Sequence, residues 1–410
     1  MKKSTYLWIV VALLWVVAAL NYVDRQVIFA LFPLLRKQLH LSDIQLGFLG
    51  TAFLWVYGIF SPIGGYLADR LNRRGVILFS VGVWSTVTLL VGLSHHYPQL
   101  VACQAMLGIS EAFYLPAALA LIADYHSAAT RSRAIGLHQS GLYAGVALGG
   151  WGGSWVGQHY GWHQVFYVLG LFGIGYSIFL FLTLKESPKG ADNKPKLRIR
   201  PPVSMAVREL SHRGPFWLLV IANCCSAVAF WSVYAWMALF LYDRFKISLS
   251  KAGFSSTFYI QVASFAGIFL GGWLADRWAR TNGRGRILVQ VIGFLLAGPG
   301  LYIVGGTHSW QLLIVCLIFF GVGRGFFDCN LMPVLCQIIP ENLRATGYGI
   351  LNSTSCFAGG IMATAAGLLK DRVGLGHALQ FAAAFLILSA ICLASLRITK
   401  GASSEVAEFA

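Results

Sequence analysis

Apolar runs long enough to cross a lipid bilayer recur along the whole chain, and no other feature restricts its fold as severely. A spanning helix needs ~20 predominantly apolar residues. Twelve such runs can be placed, at 6–35, 44–67, 76–94, 99–124, 132–157, 164–184, 215–242, 252–275, 286–305, 310–338, 345–368 and 376–396. In hydrocarbon every backbone N–H and C=O must be bonded within the protein, so runs of this kind are helices. Only 11% of the 410 residues are charged and 57% are hydrophobic, too little charge to cover a soluble domain. The expected fold is an all-α membrane protein with twelve transmembrane helices. Lys2-Lys3 ahead of an apolar run, with Val16-Val17-Ala18 after it, has the outline of a secretion signal. Apolar sequence resumes at Val27 and continues to Leu35, so Tyr6–Leu35 reads as one uncleaved, interrupted helix.

A net charge of +16 in a soluble protein would suggest nucleic acid. Here the basic residues collect in alternate loops. With the amino terminus inside, twenty-two Lys/Arg fall on the inner side and seven on the outer, leaving Arg25 and Arg324 within helices. That bias puts both termini and the central loop in the cytoplasm, and no nucleic-acid partner is expected. The longest polar stretch, 185–214, holds four prolines and eight Lys/Arg. It divides the chain into an N-terminal bundle (1–184), a cytoplasmic linker (185–214), a C-terminal bundle (215–400) and a short tail (401–410). Short loops and tails suggest a bacterial inner membrane.

The two halves repeat each other. ALFPLLRKQLHLS at 30–42 matches ALFLYDRFKISLS at 238–250, and GGYLADRLNRR at 64–74 matches GGWLADRWAR at 271–280. GISEAFYLP, running on to Arg131, aligns with GVGRGFFDC, running on to Arg344, at an offset of 213. A duplicated six-helix unit predicts two pseudo-symmetric six-helix bundles, with a ligand site near the bilayer midplane.

The run Gly65-Tyr-Leu-Ala-Asp69-Arg70-Leu-Asn72-Arg73-Arg74 resembles the loop motif between helices two and three of the major facilitator superfamily. Asn72 stands where a glycine is usual, and the second copy keeps Gly272, Asp276 and Arg277. The resemblance covers the whole chain. Within that superfamily, Asn21-Tyr22-Val23-Asp24-Arg25 and Gly108-Ile-Ser-Glu111-Ala resemble two related groups. These are the anion:cation symporters, which carry organic and sugar acids, and the spinster-like lipid transporters. Both groups share the Asp-Arg pair and the glutamate. The chain departs from both at Gln104, where an arginine usually precedes the glutamate by two turns.

An ionisable group inside a membrane costs at least ~2.5 kcal/mol on insertion scales, so each needs a reason. Of fifteen acidic residues only Asp24, Glu111 and Asp328 lie deep in apolar runs, and Arg25 and Arg324 are the deep arginines. Asp24 and Glu111 are the candidate proton carriers. Arg25, with Arg324, is the candidate holder of an anionic substrate. Adjacent residues diverge by 100° around a helix, so Asp24 and Arg25 need not pair. With Gln104 in place of the usual arginine, Glu111 has no counter-charge on its own helix. Arg324, its partner across the repeat, is the expected substitute, and Asp328 is one turn from Arg324. Asn21, Tyr22, Tyr57, His138, Gln139, Trp231, Tyr234, Tyr259 and Asn352 complete the candidate substrate-binding set. Asp69, Arg70 and Arg73, with Asp124 and Arg131 and the second-half residues Asp276, Arg277 and Arg344, are candidate gate residues at the cytoplasmic ends of the helices.

Gly141, Gly145, Gly149, Gly153 and Gly157 recur every fourth residue, which predicts one smooth face for close helix packing. The same stretch resembles the helix-five motif of drug–proton antiporters, but Gly150 replaces its proline. Eight cysteines lie in apolar runs at spacings that form no zinc or disulfide framework. Asn352-Ser-Thr354 fits a glycosylation sequon but falls within a helix. There is no GxxxxGK[ST] to hold ATP and no nucleophile–base pair, so neither a cofactor nor a metal is expected, and the chain is not read as an enzyme. The expected function is a proton-coupled secondary transporter of a small organic anion, working by alternating access as a monomer. Its partners are then the substrate, protons and the lipid bilayer. A spinster-like carrier of lysolipids, or a non-transporting receptor on the same fold, are the alternatives.

Overall fold

A computed structural model describes residues 3–68, 70–186, 203–340 and 343–396. Among these residues there are fifteen helices and no strand. In chain order they are α1 (Lys3–Ala30), α2 (Phe32–Gln38), α3 (Asp43–Ala68), α4 (Arg73–Gly92), α5 (Tyr97–Glu111), α6 (Tyr114–Tyr125), α7 (Ala128–Tyr160), α8 (Trp162–Thr183), α9 (Val203–Ser211), α10 (Gly214–Phe245), α11 (Leu249–Ala279), α12 (Gly285–Gly306), α13 (Trp310–Ile338), α14 (Arg344–Val373) and α15 (Leu375–Ser395). With α5 and α6 taken as one rod, twelve long rods stand where twelve apolar runs are expected.

Ten of these rods are apolar enough to cross a membrane by length and composition. The other two, α7 and α14, have 33 and 30 residues and are diluted by glycine and hydroxyl side chains. They occupy the same place in the two halves of the sequence. Large apolar side chains such as Leu182 (73% exposed) and Phe79 (67%) point outward, as lipid-facing surface requires.

The run 6–35 is interrupted, as expected, and the run 99–124 is broken as well, each for a covalent reason. The run 6–35 stops at Ala30 and restarts at Phe32, with a proline in the first turn of the new helix. That residue is Pro33, whose ring has no N–H to continue α1. The run 99–124 breaks between Glu111 and Tyr114. Pro116 removes the donor that would bond the carbonyl of Ala112. The carbonyl of Ala112 instead lies where a side chain on Gly64 of α3 would be.

Two compact units are present. Unit 1 comprises 1–196, 234–258 and 363–368, and unit 2 comprises 197–233, 259–362 and 369–410. In unit 1, α1 packs along α7, α3 along α5, and α4 against α5 and α8. The glycine stripe makes the first of these contacts. A Cβ on Gly141, Gly145 or Gly149 would run into the backbone oxygen of Trp15, Ala19 or Val23, and one on Gly153 or Gly157 into Val27 or Leu31. In unit 2, α12 packs against α13 and α15. These are the repeat counterparts of α4 against α5 and α8. Ala275, Val289 and Phe326 form a core there, flanked by Leu274, Trp278, Ile292 and Val322.

Candidate functional site

The deep ionisable residues of unit 1 gather around Arg25. Its Nε donates to Oε2 of Glu111 at 2.6 Å, and the two side chains are 10% and 0% exposed. The guanidinium carbon sits over three rings, 4.3 Å from the centroid of Tyr57, 4.9 Å from Tyr22 and 5.0 Å from Phe53. Phe53 and Tyr57, one turn apart on α3, stack on each other at 5.8 Å. Rings around a desolvated cation stabilise it by ~2 kcal/mol or more. Glu111 is the last residue of α5, next to the break that Pro116 sets.

Asp24 turns away from Arg25. One of its oxygens accepts from the hydroxyl of Thr88 on α4 at 3.3 Å, and the other, Oδ1, is buried with no hydrogen-bond partner. Asn21 lies one turn earlier on α1 and is 2% exposed. Burying a carboxylate with one long hydrogen bond and no ion-pair partner among the described residues is costly.

Glu111 takes its counter-charge from another helix, and from a residue other than the expected Arg324. Arg25 supplies the charge from α1, a helix away in space and 86 residues away in sequence. His138 belongs to a buried hydrogen-bonded chain beside this cluster. It is fully buried, and its Nε2 lies 2.9 Å from the hydroxyl of Tyr114. That hydroxyl donates to the carbonyl of Leu14 at 2.8 Å, so Nε2 carries the ring proton and α1, α6 and α7 are tied together beside the break. Gln139 has a buried carbonyl oxygen without a partner. The backbone oxygen of Tyr234 accepts from Gln26 at 3.3 Å.

In unit 2, Arg324 donates to Asp328 at 3.2 Å along α13 and lies 5.5 Å over the ring of Phe230. Phe230 packs with Phe294, Phe320 and Phe327. Trp231 fills the space beside Gly359 of α14. Tyr259 and Asn352 are half-buried in the same unit.

The gate candidates divide the same way. In unit 1, Arg73 forms an ion pair with Asp124. Arg70 covers the ring of Tyr66 at 4.1 Å, and Arg131 bonds the carbonyl of His126 at 3.5 Å. Asp69 lies outside the described residues. In unit 2, Asp276 pairs with Arg286 at 3.2 Å, Arg277 stands over Trp273 at 5.8 Å, and Arg344 bonds the carbonyl of Cys336 at 3.4 Å.

Phe53, Thr88 and Arg286 escape the sequence reading. Phe53 and Thr88 are ordinary members of apolar runs. The signal for Phe53 is its spacing of one turn from Tyr57, and for Thr88 its hydroxyl in a run otherwise rich in valine and leucine.

A family model described as Major Facilitator Superfamily matches residues 14–364. The D-galactonate transporter of Escherichia coli is 24% identical over 96% of this chain and 94% of its own length. A Bacillus subtilis protein named "Probable galactarate/D-glucarate transporter" is 25% identical over 86% and 83%. Human protein spinster homolog 1 is 26% identical over 82% and 68%. Among solved structures, a bacterial homolog of the human lysosomal transporter spinster, in an inward-facing conformation, superposes with a TM-score of 0.81 at 22% identity, covering 95% of this chain and 96% of that one. The D-xylose–proton symporter superposes with a TM-score of 0.77 at 16% identity, covering 97% and 99%. At these identities the structural likeness speaks for the fold. Together the matches describe an integral, multi-pass membrane transporter and not an enzyme.

Proposed function

The chain belongs to the Major Facilitator Superfamily, and from that premise we propose that it is a secondary transporter that moves a small organic anion, a sugar acid or similar carboxylate, together with protons by alternating access. The observation that carries this reading is the buried Arg25, held by Glu111 at 2.6 Å and ringed by aromatic side chains. Relatives named for galactonate, galactarate and glucarate support an anionic cargo.

The chemistry follows from competition for one guanidinium. Arginine's planar fork bonds both oxygens of a carboxylate. Glu111 is an internal occupant of that cation. A proton on Glu111 removes its charge and releases Arg25 to a substrate carboxylate. Loss of the proton restores the internal pair and ejects the substrate. Asp24, with no cation of its own, holds a second proton and keeps the corner beside Thr88 neutral. Arg324 and Asp328 form the matching charged pair of the other half. Asn21, Tyr22, Tyr57, Gln139, Trp231, Tyr234, Tyr259 and Asn352 contribute contacts during the cycle. The halves 1–184 and 215–400 rock about the site, joined by the cytoplasmic linker. Asp69, Arg70, Arg73, Asp124, Arg131, Asp276, Arg277 and Arg344 close the cytoplasmic side. The chain works as a monomer in a bacterial inner membrane with both termini inside.

The test is uptake by proteoliposomes containing the purified protein. A hexonate should accumulate when the inside is alkaline and stop accumulating when the pH gradient is collapsed. Accumulation indifferent to the gradient removes proton coupling. If no carboxylate is taken up while a lysolipid is, the anion reading falls to the lipid-carrier one.

A further inference from the structure

Unit 1 contains stretches from both halves of the sequence, because 234–258 and 363–368 join the first half there. They meet it at the end of α3 remote from the turn at 70–72. Arg36 of α2 and Asp243 of α10 bond fork to fork, Nη1 to Oδ2 at 2.9 Å and Nη2 to Oδ1 at 2.7 Å. Asp43, the first residue of α3, lies 3.9 Å from Nη1 of Arg36. Beside this fork α3 crosses α14 on small residues. A Cβ on Gly47 would enter the backbone of Ala363, and one on Gly367 would enter the backbone of Asp43. The hydroxyls of Thr51 and Thr364 share a 2.7 Å hydrogen bond. A second crossing joins α7 to α11, where Gly150 and Gly253 leave no room for a Cβ on either side.

These contacts differ in kind. The glycine crossings let backbones approach closely, yet they supply few directional bonds and separate without stranding buried charge. The fork is directional and charge-assisted. It is also about a third exposed on both sides, at 32% and 31%, so water takes over its bonds when it opens. A pair with those properties suits a reversible latch. It is not a relic of the duplication either. In the aligned stretches ALFPLLRKQLHLS and ALFLYDRFKISLS, Arg36 corresponds to Arg244, and Asp243 corresponds to Leu35. The acid exists in one copy only.

We propose that Arg36 and Asp243, assisted by Asp43, are the latch of the outer gate, and that this pair sets how much of the time the outer end of the transporter is closed. The inference rests on the transporter reading above and adds gate residues at the end opposite Asp69 and Arg70.

The experiment follows access to position 51. Thr51, 2% exposed, is replaced by cysteine. Labelling there by an impermeant maleimide is followed in proteoliposomes, with peptide-resolved mass spectrometry to separate it from the eight native cysteines. Ser80→Cys, at a fully buried position in α4, reports unfolding. Arg36→Ala and Asp243→Ala should each speed labelling at position 51 by about fivefold or more, since a population shift of that size follows from losing one charge-assisted pair. Position 80 should stay protected. Arg36→Asp combined with Asp243→Arg should restore most of the protection. Unchanged labelling at position 51 in both single variants, or an equal rise at position 80, overturns the latch. Hexonate uptake by the unmodified protein in the same vesicles is scored separately, so a failed latch is distinguishable from a failed transporter.

Discussion

Glu111, the last residue of α5, accepts a 2.6 Å bond from Nε of Arg25 on α1. The bond joins a deep acid to a deep base across two helices. Asp24, Arg25's neighbour in sequence, is left to Thr88 alone. Two carboxylates in one unit therefore stand in opposite electrostatic settings, one paired with a guanidinium and one bonded to a single hydroxyl. The expected consequences concern the cation first.

Arg25→Lys should not restore substrate affinity. Lysine keeps the charge but offers a point rather than a fork. It also gives up the ring-stacking plane over Tyr57, Tyr22 and Phe53. The expected loss is about tenfold or more in Kd, equivalent to ~1.4 kcal/mol, measured by calorimetric titration of a hexonate into the detergent-solubilised protein. The methyl ester of the same acid should bind unaltered protein just as poorly. A neutral or zwitterionic lysolipid carried equally well by unaltered protein and Arg25→Lys would replace the organic-anion reading with the lipid one.

The contact of α7 with α1 yields a stability prediction with an internal control. A methyl at Gly145 meets the carbonyl of Ala19 and the Cβ of Tyr22, while one at Gly152 meets nothing within 4 Å. Overpacking of a tight site costs ~1–3 kcal/mol. Gly145→Ala should therefore lower the thermal unfolding midpoint by several degrees, and Gly152→Ala should leave it unchanged or slightly raised. Equal midpoints for the two variants would mean that the stripe is not the packing surface.

Much of this is written in the sequence, because the bilayer leaves the backbone so few choices. Length and apolarity alone locate the rods, and 310–338 is found to the residue. The glycine stripe names its own packing face. What the sequence leaves illegible is decided by one side chain acting from a distance. Pro116 cuts a rod that apolarity alone reads as continuous. For the counter-charge of Glu111 the repeat points to Arg324. The charge comes from α1, and periodicity within a helix carries no information about which neighbouring helix is turned toward it. The fork between Arg36 and Asp243 is illegible in the sequence for a related reason. Charges at helix ends look like topology signals, and nothing in one sequence says that two such ends meet.

Orientation has its own test. The exposed Ser211, at the end of α9 within the basic linker, is the natural reporter. Ser211→Cys should react with an impermeant maleimide in inside-out vesicles and remain unlabelled in intact cells. Labelling from outside intact cells would reverse the topology drawn from the imbalance of lysine and arginine between alternate loops.

The sharpest expectation separates the two carboxylates. Glu111→Gln is a permanently neutral mimic of the protonated side chain, and it removes the internal occupant of Arg25. Substrate binding should then hold or strengthen, and it should lose its dependence on pH. Counterflow, which needs binding and rocking but no net proton movement, should continue. Uphill accumulation driven by a pH gradient should vanish, because the proton and the substrate no longer exchange places on one guanidinium. Asp24→Asn leaves the Arg25–Glu111 pair in place and preserves an acceptor for Thr88. It should fold and bind as the unaltered protein does, and it should lose part of the gradient-driven accumulation, through the second proton alone. Both variants are measured for gradient-driven uptake and counterflow in the same proteoliposome preparations. Normal gradient-driven uptake by Glu111→Gln would exclude competition for Arg25 as the coupling step and leave Asp24 to carry it. Loss of counterflow along with uptake would instead make Glu111 a structural member of the α1–α5 contact, since an amide cannot replace the ion pair that holds the two helices together.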